Sequence, residues 1–224
     1  MARFANNITY SLKDIPSMKF MFPDFGAKSA DKGDLKITYE GIYSITSPKI
    51  MRIIINEINK RLSTTPSKIT ITDATANCGG SVIAFSRIYG HINAVEISHE
   101  TMAVLQHNVG LYNITNIKFV ESDYTKVMCD LKQDVVFIDP PWGGRGYDVR
   151  ANIRLRLGDL SLIDIAKRLY LGKLTKLIVM KLPYNYDLTE FTDLEFSKIK
   201  IGNVLLVFIS GLKRRHSDNG GLGL

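Results

Sequence analysis

Apolar residues change their spacing along this chain, and the changes mark its elements. In "SPKIMRIIINEINKRL" (47–62), Ile50, Ile53, Ile54, Ile58 and Leu62 recur at three and four residues, the spacing of a helix with one buried stripe. Ser47 is placed to cap that helix, and Pro48 suits its first turn, where no amide hydrogen is needed. "STTPSK" breaks it. Short apolar runs then alternate with helical stretches. "KITITD" (68–73), "INAVEI" (92–97), "IKFVE" (117–121), "DVVFID" (134–139) and "KLIVMKL" (176–182) have the length and composition of strands. Between them, "GGSVIAFSRIYG" (79–90) reads as a helix. So does a segment capped by Ser98, with Met102, Leu105 and Val109 facing inward, and so does a stretch around 159–171.

The end of the chain breaks the alternation. "LEFSKIKI" and "VLLVFIS" are strand-like and are separated only by Gly202-Asn203, a two-residue turn that opens with glycine. The pattern predicts an α/β fold: a mostly parallel, doubly wound sheet finished by an antiparallel hairpin. Three regions follow. Residues 1–46 lack a sustained period and form an N-terminal arm, 47–212 form the core, and 213–224 form a basic, glycine-rich flexible tail.

Composition narrows the class. At 224 residues and 45% hydrophobic, the chain is sized for one well-packed domain. No apolar run approaches the ~18 residues of a spanning helix, and "MARFANNITY" lacks a signal peptide's apolar stretch. An intracellular enzyme, cytoplasmic or nuclear and monomeric, is the expectation. Cys78 and Cys129 give no disulfide framework, the four histidines do not cluster, and no metal is expected. The net charge of +7 favours a polyanionic partner such as nucleic acid without specifying one.

Ligands of doubly wound sheets bind beyond the carboxyl ends of the strands. Four acids fall there: Asp73, Glu96, Asp123 and Asp139. The first strand-to-helix turn, "DATANCGGS", carries Gly79 and Gly80, which permit close backbone approach, and Asn77, which tolerates positive φ. It is neither G-x-G-x-x-G nor a P-loop. Glu96 lies where such folds place an acid for ribose hydroxyls. After the fourth strand comes "DPPWGG" (139–144), with the single tryptophan of the chain on a loop that two prolines restrict. Asp139 and the Pro140 carbonyl are acceptor-only groups suited to an amine's N–H, and Trp142 offers a flat face on which a base can stack.

Together these motifs resemble a class I S-adenosylmethionine-dependent methyltransferase with a Rossmann-like, seven-stranded sheet. Within that class Pro-Pro-Trp-Gly-Gly is similar to the trimethylguanosine synthase family, which methylates the N2 amine of a 7-methylguanosine RNA cap. "DLKITYEGIYSITSPKI" (34–50) resembles that family's segment before the core. "DATANCGGSVIAF" and "VLQHNVGLYNI" (104–114) resemble its cofactor turn and a following Asn-rich segment.

The resemblance implies that Trp142 stacks on the cationic 7-methylguanine, Pro140 and Asp139 hold the amine, Asn108 meets the base edge and Lys36 the triphosphate. Thr46, Asp73, Gly79, Glu96, Asp123 and Asp139 would line the S-adenosylmethionine site, and capped RNA would be the partner. The chain departs from the family pattern at four positions. Asn77 stands for its first glycine, Glu96 for an aspartate, Asp139 for a serine, and Tyr184 for the arginine of Leu-Pro-Arg. The last leaves a phosphate-binding cation to be supplied by Arg145, Arg150 or Lys181. One methyl or two in succession both fit. Methylation of another nucleobase amine, such as adenine N6 or internal guanine N2, and a silent RNA-binding subunit are the competing readings.

Overall fold

The computed structural model describes residues 8–24, 31–143 and 152–212. Its first part is a short ribbon in which β1 (Thr9–Ser11) pairs antiparallel with β2 (Lys36–Thr38). Three-residue strands are too short to show a period, so this ribbon could not be read from the pattern of the arm. Nor could the single-turn helix α1 (Tyr39–Ser44), capped by the Thr38 hydroxyl. Leu12, Phe22, Leu35 and Ile37 of this region are buried in the same cluster as the core helices.

The helix α2 (Pro48–Arg61) starts where Ser47 and Pro48 place it. Its buried stripe runs through Met51, Ile54, Ile55 and Ile58, rotated slightly from the predicted one, while Ile50 and Ile53 are only partly covered. The alternating region follows in order: β3 (Thr70–Asp73), α3 (Gly80–Ser86), β4 (His91–Glu96), α4 (His99–Leu111), β5 (Ile117–Glu121), α5 (Tyr124–Val127) and β6 (Val135–Ile138). A two-residue ribbon of β7 (Arg156–Leu157) and β8 (Leu160–Ser161) then leads into α6 (Leu162–Leu171), so the helix predicted from 159 starts later, at a Ser161 cap. Last come β9 (Leu177–Pro183), β10 (Leu194–Ile201) and β11 (Val204–Leu212).

Seven strands form one sheet in the order β10-β11-β9-β6-β3-β4-β5. β3, β4, β5, β6 and β9 are parallel, and β11 runs against both of its neighbours. The predicted mostly parallel sheet with a closing hairpin is therefore the observed one. Side chains alternate between its two faces. Val135 and Phe137 pack with α2, α3 and α4, while Val136 and Ile138 pack with Tyr124 and α6. After β3 the chain builds outward through β4 and β5, then returns to place β6 on the other side of β3. That reversal opens a crevice at the carboxyl ends of β3 and β6, where Asp73 and Asp139 stand.

Among the described residues no helix is long and apolar enough to cross a membrane. The tail 213–224 lies outside the described residues, as do Gly144, Arg145 and Arg150.

The closing hairpin turns at Gly202, whose φ is +56°, with Ile201 and Val204 paired across the turn. A branched side chain is strained in this left-handed region by roughly 1–2 kcal/mol. Gly202→Val should therefore lower the unfolding free energy by about that amount in a urea titration, without changing the denaturant slope.

Candidate active site

The carboxyl rim is organised by how each acid is satisfied. Asp73, at the end of β3, is fully buried; it accepts the Ser81 hydroxyl at the start of α3 and the Thr75 amide (3.2 Å). The turn between them needs unusual backbone. Asn77 has φ +46° and Gly79 φ +94°, and a Cβ on Gly79 would come within 2.6 Å of Leu105. Glu96, ending β4, holds this turn from the side: its Oε2 accepts the Asn77 amide (2.9 Å) and its Oε1 the Ser98 amide (3.0 Å).

Asp123 lies two residues beyond β5 and caps α5, where its Oδ1 accepts both the amide and the hydroxyl of Thr125 (2.8 Å each). Gly158, in the β7–β8 turn, closes over it: a Cβ there would lie 2.6 Å from Asp123 Oδ2.

Asp139 begins the loop after β6. Its amide donates to the Thr75 hydroxyl (2.9 Å), tying the loop to the first turn. Its Oδ2 accepts the Lys181 ammonium (2.7 Å) and the Thr46 hydroxyl (3.3 Å). Lys181 also donates to the Ser44 carbonyl (3.2 Å), and its nitrogen lies 5.4 Å from the centroid of the Trp142 ring. Trp142 is half-buried, with its body against the core cluster on the α6 face. The N-terminal arm, the first turn and the loop thus enclose a narrow pocket lined by Ser44, Thr46, Thr75, Asn77, Ser81 and Asp139. A wider surface hollow at Pro16, Lys19, Phe20 and Lys32 holds none of the strand-end acids.

The structure brings Thr46, Asp73, Gly79, Glu96, Asp139 and Trp142 to the same rim. Asn108 is elsewhere. It is fully buried on α4, where its Oδ1 accepts the Lys36 amide and its Nδ2 donates to the carbonyls of Lys36 and Cys78, each at 2.8 Å. Both ends of the amide are committed, so the expected contact with a base edge gives way to a clamp joining β2 to the cofactor turn. Lys36 has an exposed side chain beside that clamp. Lys181 does not present a free cation to a phosphate, because its ammonium is turned inward onto Asp139.

Sequence reasoning missed Ser81, Thr75 and Ser44, whose small hydroxyls carry no spacing signal. It also missed the role of Lys181, although a lysine inside the apolar run "KLIVMKLP" was a clue: buried lysines are almost always paired. Among the described residues no group of three or more His, Cys, Asp or Glu side chains is arranged to hold a metal ion.

Burial raises the proton affinity of all three inner acids. Glu96 is raised by desolvation against the Ser98 and Asn77 amides, and Asp139 by desolvation against Lys181 and Thr46. Asp73 is pushed up to about 7 by burial, with the charges of Asp139 and Glu96 adding to it and its Ser81 and Thr75 hydrogen bonds opposing.

A raised folded-state value means that the stability associated with Asp73 is full below its ordinary value of 3.8 and is lost as pH rises through about 7. Asp73→Asn removes this linkage. In melts from pH 5 to pH 8 the variant should gain on the wild type with rising pH, by on the order of 2–4 kcal/mol across the range. A parallel pair of curves would show that Asp73 is not the titrating group.

The chain matches the family model of RNA cap guanine-N2 methyltransferases over residues 68–207. It is 35% identical over 129 residues to an uncharacterized protein of Acanthamoeba polyphaga mimivirus, covering 56% of this chain and 50% of that one. Trimethylguanosine synthase of Schizosaccharomyces pombe is 29% identical over 122 residues, covering 50% of this chain and 47% of the relative. That of Saccharomyces cerevisiae is 26% identical over 169 residues, covering 72% and 52%. The chain spans about half the length of these curated relatives.

Among solved structures, a precorrin-6y C5,15-methyltransferase of Geobacter metallireducens superposes with a TM-score of 0.53 at 18% identity, covering 76% of this chain and 92% of that one. A tRNA methyltransferase of Aquifex aeolicus superposes with a TM-score of 0.51 at 15% identity, covering 76% and 71%. At that identity the likeness is one of fold. The family match covers the five parallel strands, the four strand-end acids and the Asp-Pro-Pro-Trp loop, and on it this chain belongs to the RNA cap guanine-N2 methyltransferase family.

Proposed function

We propose that this chain transfers methyl from S-adenosylmethionine to the exocyclic N2 amine of a 7-methylguanosine RNA cap, once or twice in succession. The observation that carries the reading is the Asp139–Trp142 loop, fixed at the carboxyl end of β6 one strand away from Asp73 and enclosed by the N-terminal arm.

The donor set suits the cofactor. Each oxygen of Glu96 accepts one backbone amide and keeps lone-pair capacity for a hydroxyl, so its carboxylate can take a ribose diol. Asp73, Thr46, the Gly79 turn and Asp123 would hold the remainder. S-adenosylmethionine supplies an electrophilic methyl on a positively charged sulfur.

The chain's own work is positioning. An exocyclic amine has its lone pair delocalised into the ring, and the rate depends on holding that nitrogen in line with acceptors already in place. Among the described residues both side-chain contacts of Asp139 fall on Oδ2, leaving Oδ1 to accept one amine N–H, with the Pro140 carbonyl taking the other. Trp142 stacks on the base, and N7 methylation makes that base cationic, which adds a cation–π attraction. The proton released from nitrogen passes to water or to Asp139. Lys36 is the exposed cation offered to the cap phosphates, and Asn108 supports it from within by fixing its backbone.

An aspartate before the two prolines also suits an adenine amine, so the test includes one. Labelled methyl transfer is measured with 7-methyl-GTP, GTP and an adenine-containing oligonucleotide. The expected result is labelling of 7-methyl-GTP alone. Trp142→Ala should lower kcat/KM roughly 5- to 100-fold, in keeping with the ~1–3 kcal/mol of one base–aromatic stack. Labelling of the oligonucleotide instead would replace the cap reading with adenine-N6 chemistry.

A further inference from the structure

We propose that Lys181 is a positioning residue: it locks Asp139 through one carboxylate oxygen and cancels its charge, so that the loop presents a neutral pair whose other carboxylate oxygen no described residue engages. The inference rests on the methyl-transfer reading of the Asp139 loop, though not on which base is methylated.

Lys181 lies on β9, a strand whose every residue is buried, and is itself only 6% exposed. A lysine in such a place needs a strong reason. Its ammonium reaches Asp139 Oδ2 at 2.7 Å and the Ser44 carbonyl at 3.2 Å, and lies under the Trp142 ring. Two residues of the β6 loop, Asp139 and Trp142, and the N-terminal arm therefore meet at one cation.

Among the described residues the groups facing Asp139 are the Lys181 ammonium from β9, the Thr46 hydroxyl from the arm and the buried carboxyl of Asp73 from β3. Two consequences follow. Held at Oδ2 by Lys181 and Thr46, the carboxylate cannot turn, and Oδ1 keeps a fixed direction. Without Lys181, a carboxyl buried beside Asp73 would bind a proton more readily. A protonated Asp139 could donate through that proton and would no longer be an acceptor-only group.

Breaking one partner of a buried pair leaves an uncompensated charge, whereas removing both leaves none. That asymmetry separates this role from two independent contributions. Lys181→Met, Asp139→Ser and the double variant are compared by steady-state methyl transfer between pH 6 and pH 9, on whichever amine substrate the wild type labels. Lys181→Met should lower kcat at least about 10-fold at pH 7, with the loss shrinking toward pH 9 and KM for S-adenosylmethionine little changed. The double variant should exceed both single variants. Multiplicative losses with an unshifted pH profile would overturn the proposal.

A second readout is independent of turnover. Because Trp142 is the only tryptophan and its ring centroid lies 5.4 Å from the Lys181 nitrogen, its fluorescence reports on the surroundings of this pair. Lys181→Met should show a pH titration displaced to the alkaline side of the wild type's, and that displaced titration should vanish in the double variant. Identical curves in all four proteins would overturn the proposal even if no substrate were labelled.

Discussion

Three carboxylates enter the low-dielectric end of this sheet on three adjacent strands, and the site is arranged around keeping them there. An isolated buried charge is costly, so each acid has its own compensation. Asp73 has a hydroxyl and an amide, and burial pushes its pKa up to about 7. Glu96 has two backbone amides, that of Asn77 in the turn it braces and that of Ser98 at the start of α4. Asp139 has an ammonium. Because the sheet reverses between β3 and β6, these solutions share one crevice. Of the residues that satisfy the acids, Thr75, Ser81, Asn77 and Thr46 are also its walls. The N-terminal arm belongs to this arrangement too, since Ser44 and Thr46 contribute directly to the contacts around Asp139.

Much of this was legible in the chain. Strand-length apolar runs ending in an acid predicted both the sheet and its functional edge, because a parallel strand buried on both faces is read as a continuous apolar run and its rim as the first charge after it. Asn77 marked a position that tolerates positive φ and adopts it, as does the neighbouring Gly79. Ser47, Ser98 and Gly202 fixed element ends through local hydrogen bonds or backbone freedom, which depend on nothing distant.

What was not legible depends on contacts across many residues. The resemblance placed Asn108 at the edge of the base. Its burial against β2 depends on a strand that lies 72 positions earlier and is only three residues long. The pairing of Lys181 with Asp139 spans 42 positions and appears only once β6 and β9 lie side by side. Aspartate in place of the family's serine comes, in the fold, with a cation that offsets its charge. The ribbon of β7 and β8, which closes over Asp123, is likewise too short to show a period.

The account turns on Trp142 as the platform for a positively charged base. A titration of Trp142 fluorescence with 7-methyl-GTP and with GTP, in the presence of S-adenosylhomocysteine, tests that most directly, since no other indole contributes to the signal. The account predicts saturable quenching by 7-methyl-GTP, with GTP at least tenfold weaker. Equal quenching by both nucleotides, or none by either, would contradict it.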